Sequence, residues 1–359
     1  MKNLIKHLLI YLNLFFAFLL VTSYLSYHVN PEKAWFLQFL GLAYPSLVMI
    51  NVAFLLLWLF RKKKYIFLPI ISIALGWNHL ETYIQINLKN NDPYPAKTLK
   101  VLSYNVRLFN YYDWVNDDKA DMHIFEYIKA ENPDVLCLQE YFAGTGKLKQ
   151  SDIERALAAL PYKHVHFTSV SNNTGYGIAT YSRYPIVNEG FINFEDTRNI
   201  TIYTDIKVMD DTIRVYNNHL QSIRFLKRDY DFIDTLQFRY NEEHIRSLRN
   251  ISAKMKTAYI KRSAQAITIS NQIKRAPHPV ISCGDFNDTP VSYTYRKMKG
   301  NLIDSFVAAG NGVGNTYIGK VPSFRIDYIL HSQELSSLDF QRDKIVLSDH
   351  YPISATISY

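Results

Sequence analysis

The hexapeptide CGDFND, residues 283–288, follows the apolar run Pro279–Ser282 and precedes Pro290. A turn accounts for Gly284 and Asp288, but not for Asp285 and Asn287, which stand two residues apart around Phe286. On an extended chain that spacing points a carboxylate and an amide to one face and the aromatic ring to the other. Such a face suits a metal ion or a phosphate. Further candidates sit in or at the ends of apolar runs: Asn105 in LKVLSYNV (99–106), Glu140 closing DVLCLQE (134–140) and His219 in IRVYNNHL (213–220). Asp327 lies in FRIDYIL (324–330), and Asp349 and His350 open the final segment SDHYPISATISY (348–359). Taken alone, most have a plain structural reading. Asn105 can cap or turn, Glu140 can begin a loop, His219 can be a hydrogen-bonded core histidine, and Asp349–His350 can be a turn before Pro352. Asp327, flanked by Ile326 and Tyr328, is harder to explain that way, because a buried charge is costly unless paired or bound to a cation. Strand ends that all carry such groups point to one shared site.

The elements that must position these residues are short runs rich in Val, Ile and Tyr, separated by polar or helical stretches. Asp121–Ala130 has helical spacing, with Ile124, Tyr127 and Ile128 on one face, and it stops before Pro133. GIATYSRYPI (177–186) reads as a further strand, and a long basic helical region precedes CGDFND. Strands interspersed with helices indicate an α/β or α+β domain.

The ordered set SYNVR, LCLQE, YSRYPI, YNNHLQS, CGDFND, RIDYIL and LSDHYPI resembles the endonuclease/exonuclease/phosphatase superfamily over residues 98–359. That superfamily includes DNase I-like nucleases, exonuclease III-type repair enzymes, inositol polyphosphate 5-phosphatases and neutral sphingomyelinases. The resemblance implies an α/β fold, a two-sheet sandwich with helices outside and an active site at one edge. It also implies roles for the candidates. Glu140, with Asn105, matches the principal metal-binding position, and Asp349 stands near the metal. His219 matches the histidine at the scissile phosphate, and Asp285 and Asn287 match the pair that orients water and binds phosphate. Asp327 matches the carboxylate that orients the last histidine, His350. Mg²⁺ or Mn²⁺, hard ions that favour oxygen ligands, would neutralise an anionic ester. Asp285 or the Asp327–His350 pair would activate water; both assignments stay open. His219 and Asn287 would stabilise charge on the phosphoryl oxygens. No Ser, Thr or Cys stands in a nucleophile motif, so a covalent intermediate is not expected.

The first 88 residues differ from the rest. Leu8–Tyr27 and Ala34–Phe60 hold no charge, and each is long enough to cross ~30 Å of hydrocarbon. No small-residue cleavage site follows the first. Tyr65–Ile86 is a third candidate, with His79 and Glu81 near its end; its alternative is a re-entrant or interfacial helix. The expected organisation is an N-terminal bundle of three transmembrane helices (about 8–27, 34–60 and 65–86), a linker at 89–97 and the catalytic domain at 98–359. Lys2 and Lys6 precede the first span, and RKKK (61–64) follows the second. The positive-inside rule holds both on the cytoplasmic side. Three spans then put the domain on the outer face of the cell membrane; two would keep it inside. Helices plus domain together resemble membrane-tethered bacterial members such as the VanJ-like proteins.

The 359-residue chain carries a net charge of +8, with twelve Lys or Arg against five Asp or Glu in Arg224–Arg275. That segment is either a solvated helical face or a surface for an anionic partner. Cys137 and Cys283 read as small buried hydrophobes, with a disulfide as the alternative. Two substrate readings follow. In one, a membrane-anchored phosphoesterase acts on a lipid-linked phosphate or pyrophosphate beside the bilayer. In the other, a nuclease binds nucleic acid through the basic segment, where Tyr230, Phe232, Phe238, Tyr240 and Tyr259 either stack on bases or pack into a core. The same segment can instead rest on anionic headgroups. A catalytically inactive membrane scaffold is the third reading, and the intact polar set argues against it.

Overall fold

Almost wholly buried central strands flanked by half-exposed edge strands build two six-stranded sheets that pack face to face. The computed structural model describes residues 2–87, 97–144, 148–171, 174–234, 242–319 and 323–359. In chain order the strands are β1 (Ile84–Ile86), β2 (Thr98–Asn105), β3 (Val135–Ala143), β4 (Tyr162–Ser171), β5 (Thr174–Ser182), β6 (Ile186–Asn193) and β7 (Ile200–Val208). They continue with β8 (Asp211–His219), β9 (Val280–Asp285), β10 (Ile303–Asp304), β11 (Asn311–Val313), β12 (Asp327–His331), β13 (Ser336–Arg342) and β14 (Ile353–Ser358). One sheet runs β13-β14-β2-β3-β5-β4 and the other β10-β12-β9-β8-β7-β6. The pairs β2–β3 and β8–β9 are parallel. Parallel neighbours need a crossover, and the helices Ala120–Glu131 and Glu242–Ile273 lie in those connections. The expected two-sheet α/β sandwich is therefore what the chain forms.

The interior between the sheets is aliphatic: Leu99, Val101 and Val135 from one side meet Val215, Ile281 and Ile329 from the other. Cys137 and Cys283 belong to this layer and are free thiols. Polar ties also cross between the sheets: Gln139 Nε2 donates to Asn217 Oδ1 at 2.7 Å and Asn217 Nδ2 donates to the Ala179 carbonyl at 2.9 Å. Asn217 is two residues before His219, so the same face carries both into the sandwich. GIATYSRYPI does not form one strand. β5 stops at Ser182 and β6 begins at Ile186, because Pro185 cannot donate to a ladder.

The N-terminal region departs from three uninterrupted spans. Among the described residues, one helix, Asn3–His28, is long and apolar enough to cross a membrane. The second expected span divides into Leu37–Leu42 and the 17-residue helix Tyr44–Phe60, with the break just before Pro45. The third divides into Phe67–Ala74 and Trp77–Glu81 around Gly76. A side chain on Gly76 would meet the Tyr24 ring at 2.3 Å, so the glycine allows that close crossing. Ile84–Ile86, expected at the end of the third span, is instead β1 and pairs with β11. The expected linker lies outside the described residues except for Lys97. Contacts also bind the helices to the sandwich. Ser26 Oγ donates to the Val291 carbonyl at 2.6 Å, and buried Arg325 donates to the Thr82 carbonyl at 2.9 Å.

Candidate active site

Strand register aligns the first half of the site. His219 pairs opposite Asp285, and Asp285 opposite Asp327, so the three form one row across β8, β9 and β12. Gly284 makes the approach possible. Its φ is +124°, and a Cβ there would stand 2.1 Å from the Asn218 carbonyl oxygen. Phe286 turns away from the row, is fully buried, and stacks on Tyr328 with ring centroids 4.7 Å apart. Asn287 is reached differently from the extended-chain expectation. β9 ends at Asp285, and Asn287 adopts a left-handed φ of +54°. The turn still brings its side chain to the row: Asn287 Nδ2 donates to Asp285 Oδ2 at 3.1 Å and its backbone N–H to Oδ1 at 2.7 Å.

The opposite sheet supplies the rest from strand ends and a distortion. Asn105 closes β2, and its Nδ2 donates to Asp285 Oδ2 at 3.1 Å and approaches Glu140 Oε1 at 3.5 Å. Glu140 sits where the β3–β5 register shifts, at φ +51°. His219 Nε2 lies 3.9 Å from Glu140 Oε1 and 4.0 Å from Asp285 Oδ2. His350 precedes β14; its Nδ1 is 2.9 Å from Asp327 Oδ2 and its Nε2 3.8 Å from Asp285 Oδ2. The structure thus brings Asn105, Glu140, His219, Asp285, Asn287, Asp327 and His350 together. Asp349 stands beside them, held by Arg107 at 2.9 Å.

Burial, with the neighbouring charges of His350 and Arg224, pushes His219 down to about 3, so it is neutral at pH 7. Its buried Nε2 has no hydrogen-bond partner. Burial raises Asp285 to about 7, with Asp327 adding to the rise and His350 opposing it. Burial opposes charge on His350, but Asp327 and Asp285 prevail and raise it to about 10. Glu140 is raised first by burial and next by the charge of Asp349.

This crowding of carboxylates fits a hard divalent cation, which would relieve their repulsion. One ligand atom each from Asp285, Asp327 and His350 lies within 4.8 Å of the others. That trio is a poor cage, because its histidine is charged and already bonded to Asp327. Asn105, Glu140 and Asp349 offer oxygen ligands instead.

Several residues escaped the sequence reading. Arg107 also lies over the Trp114 ring, 4.4 Å from its centroid. Arg262, fully buried in Glu242–Ile273, donates to the carbonyls of Gln221 and Asn287, each two residues past a site residue. A cleft of about 620 Å³ opens at Glu140 and His219 and is lined further out by Tyr176, Arg198 and Arg224. The sequence pointed to Arg107 through the motif SYNVR and held Arg224 and Arg262 within the basic segment Arg224–Arg275, but gave no sign of Tyr176 or Arg198.

Comparison with known proteins agrees with this geometry. The profile described as the endonuclease/exonuclease/phosphatase family matches residues 102–350, and a domain of unknown function matches residues 6–83. No curated protein matches the chain. Among solved structures, an endonuclease/exonuclease/phosphatase from Beutenbergia cavernae is similar at 16% identity and TM-score 0.52, covering 73% of this chain and 72% of that one. One from Bacteroides vulgatus is similar at 18% identity and TM-score 0.52, covering 73% and 98%. The human Nocturnin catalytic domain with bound sulfate is similar at 20% identity and TM-score 0.51, covering 73% and 94%. At these identities the structures show a shared fold, while the family profile spans most of the chain. The chain belongs to the endonuclease/exonuclease/phosphatase family, and it is a divalent-metal-dependent hydrolase of phosphate-ester bonds.

Proposed function

We propose that this cluster hydrolyses a phosphodiester or a phosphate or pyrophosphate ester by direct attack of water, in a protein anchored to a membrane. The convergence of His219, Asp285 and Asp327 in one row with Asn105, Glu140 and His350 from the facing sheet carries the reading. Glu140, Asn105 and Asp349 would hold Mg²⁺ or Mn²⁺, which supplies charge neutralisation at the ester. Neutral His219 points an unpartnered ring nitrogen at the position of a phosphoryl oxygen, and Asn287 orients Asp285. Asp327 fixes the ring of His350. Asp285, raised to about 7, is suited to take a proton from water at neutral pH.

The N-terminal helices favour the membrane reading. Leu4, Tyr11, Phe18, Phe60, Phe67 and Leu75 are each more than 60% exposed, an apolar surface that water does not favour. The architectural likeness to VanJ-like proteins rests on the same helices. Ser222 and Arg224 line the cleft, while their neighbours Ile223 and Phe225 pack against the buried Ile251–Met255–Tyr259 stripe, as Phe39 and Leu42 of the N-terminal region do. A lipid-linked phosphate at headgroup level is therefore the substrate we favour over nucleic acid. Tyr259 and Phe232 belong to that packed cluster and do not offer faces for bases; Phe238 and Tyr240 lie outside the described residues. With Lys2 and Lys6 on the cytoplasmic side, three crossings would put the catalytic part outside and two would keep it inside. Full-length protein in detergent with Mg²⁺ tests the reading against bis(p-nitrophenyl) phosphate, plasmid DNA and a lipid pyrophosphate, beside His350→Ala. Turnover lost in His350→Ala supports it; equal turnover in both proteins refutes it.

A further inference from the structure

We propose that Arg198 and Arg224 form a second anion subsite in the cleft, which takes a phosphoryl group adjoining the scissile one. The inference rests on the phosphoester-hydrolase reading above and specifies its substrate. The cleft runs from Glu140 and His219 to these two exposed arginines, with Tyr176 in its wall; Asp285 and His350 do not line it. It therefore extends away from the proposed proton-handling end of the site.

The loops that bear the two arginines are anchored. Arg224 holds a left-handed φ of +56° and donates to Thr197 Oγ1 at 3.4 Å. Thr197 in turn bonds Asn199 at 2.8 Å, and Asn199 Nδ2 donates to the Leu220 carbonyl at 2.7 Å. Asn287 Nδ2 uses that same carbonyl at 3.0 Å. The loops bearing the arginines are thus tied to the residue following His219. Several arginines of the sandwich are committed to carboxylates, Arg107 to Asp349, Arg214 to Asp205, Arg262 to Asp288 and Arg325 to Asp304, whereas Arg342 is bonded to Asn315. Among the described residues neither Arg198 nor Arg224 has such a partner.

Tyr176 lines the same cleft as Glu140, Arg198 and Arg224. Burial raises its hydroxyl well above the usual range, Glu140 and Asp285 add to the rise, and Arg224 and Arg198 oppose it. A substrate with one phosphoryl group at His219 would leave both guanidinium groups unused. One with a second phosphoryl group satisfies them, and arginine forks match phosphate oxygens.

The test compares matched substrates that differ by one phosphoryl group, with Mg²⁺ and full-length protein. Farnesyl phosphate against farnesyl pyrophosphate represents a lipid source, and TpT against pTpT a nucleic-acid source. Inhibition of bis(p-nitrophenyl) phosphate hydrolysis by inorganic pyrophosphate and by inorganic phosphate gives a binding readout. In Arg198→Gln and Arg224→Gln, the preference in kcat/KM for the two-phosphoryl member should fall at least about tenfold in one pair, as for a lost hydrogen bond to a charged group. The preference for pyrophosphate as inhibitor should fall with it. Arg155→Gln, whose partner is Asp152 on the surface, should change neither. Equal losses on both members, no loss on either, or turnover of bis(p-nitrophenyl) phosphate without a two-phosphoryl preference would overturn the subsite. No turnover of any substrate would instead sink the hydrolase reading itself.

Discussion

The two sheets build their halves of the site by different means. In the sheet containing β8, β9 and β12, ordinary pairing does the placing: His219, Asp285 and Asp327 stand opposite one another because the strands are in register. In the facing sheet Asn105 likewise ends its strand in register, but Glu140 sits at a register shift with a left-handed backbone and His350 precedes β14. Left-handed backbone at a non-glycine residue costs on the order of 1–3 kcal/mol and persists where its surroundings enforce it. The lesson is that a row of proton-handling groups can be aligned by register alone. Glu140, the proposed metal ligand, reaches the cluster from the opposite wall through a distortion of its strand.

Changes in the regular row should cost chemistry first. Asp327→Asn keeps the shape but weakens the grip on His350, and kcat should fall by about 10³–10⁴-fold with little change in KM, as for other orienting carboxylates. Steady-state kinetics decide this, and a fall below tenfold would argue that Asp327 does not orient His350.

Changes at the distorted wall should weaken ion binding first. Glu140→Gln should raise the Mg²⁺ concentration for half-maximal activity by about 100-fold, the upper range for disturbed metal ligation. An unchanged Mg²⁺ titration would remove Glu140 from the ligand set. Chelation of wild type with EDTA should abolish turnover, and added Mn²⁺ should restore it.

The smallest effect tests the scaffold behind the row. Arg214 grips Asp205 through two hydrogen bonds of 2.6 and 2.7 Å. Burial opposes the Asp205 charge, but Arg214 and Asn188 hold its carboxyl below the usual range. A folded pKa below the unfolded one stabilises above the unfolded value, about 3.9, and that stabilisation fades as pH falls through the folded value. Asp205→Asn should therefore cost about 1–3 kcal/mol at pH 7, with the difference from wild type shrinking below about pH 4. Urea melts at both pH values check it. A pH-independent difference would mean that packing, not charge, holds the pair.

Much of this was legible in the sequence because strands place residues by alternation and motifs recur in order. SYNVR, LCLQE, YNNHLQS, CGDFND, RIDYIL and LSDHYPI each carry a side chain that the structure gathers. The turn at Asn287 was not legible, since the residue arrives by a left-handed backbone rather than by strand alternation. Nor was Arg198; Arg224 opens the basic segment read as either a solvated face or an anionic-partner surface, but its meeting with the Arg198 loop depends on Thr197, Asn199 and Leu220 finding one another in three dimensions. The N-terminal spans misled for a related reason. Uninterrupted apolarity sets a length, but Pro45 and Gly76 set where the helices end.

The most direct test measures bis(p-nitrophenyl) phosphate hydrolysis in Mg²⁺ by wild type, Glu140→Gln, Asp285→Asn and the double variant, each checked for folding by circular dichroism. If the two walls serve one cluster, each single variant should lose at least about 10³-fold, and the double should be little worse than the poorer single, as for residues that act as a unit. Near wild-type turnover in either single variant, or losses that multiply in the double, would contradict a shared site.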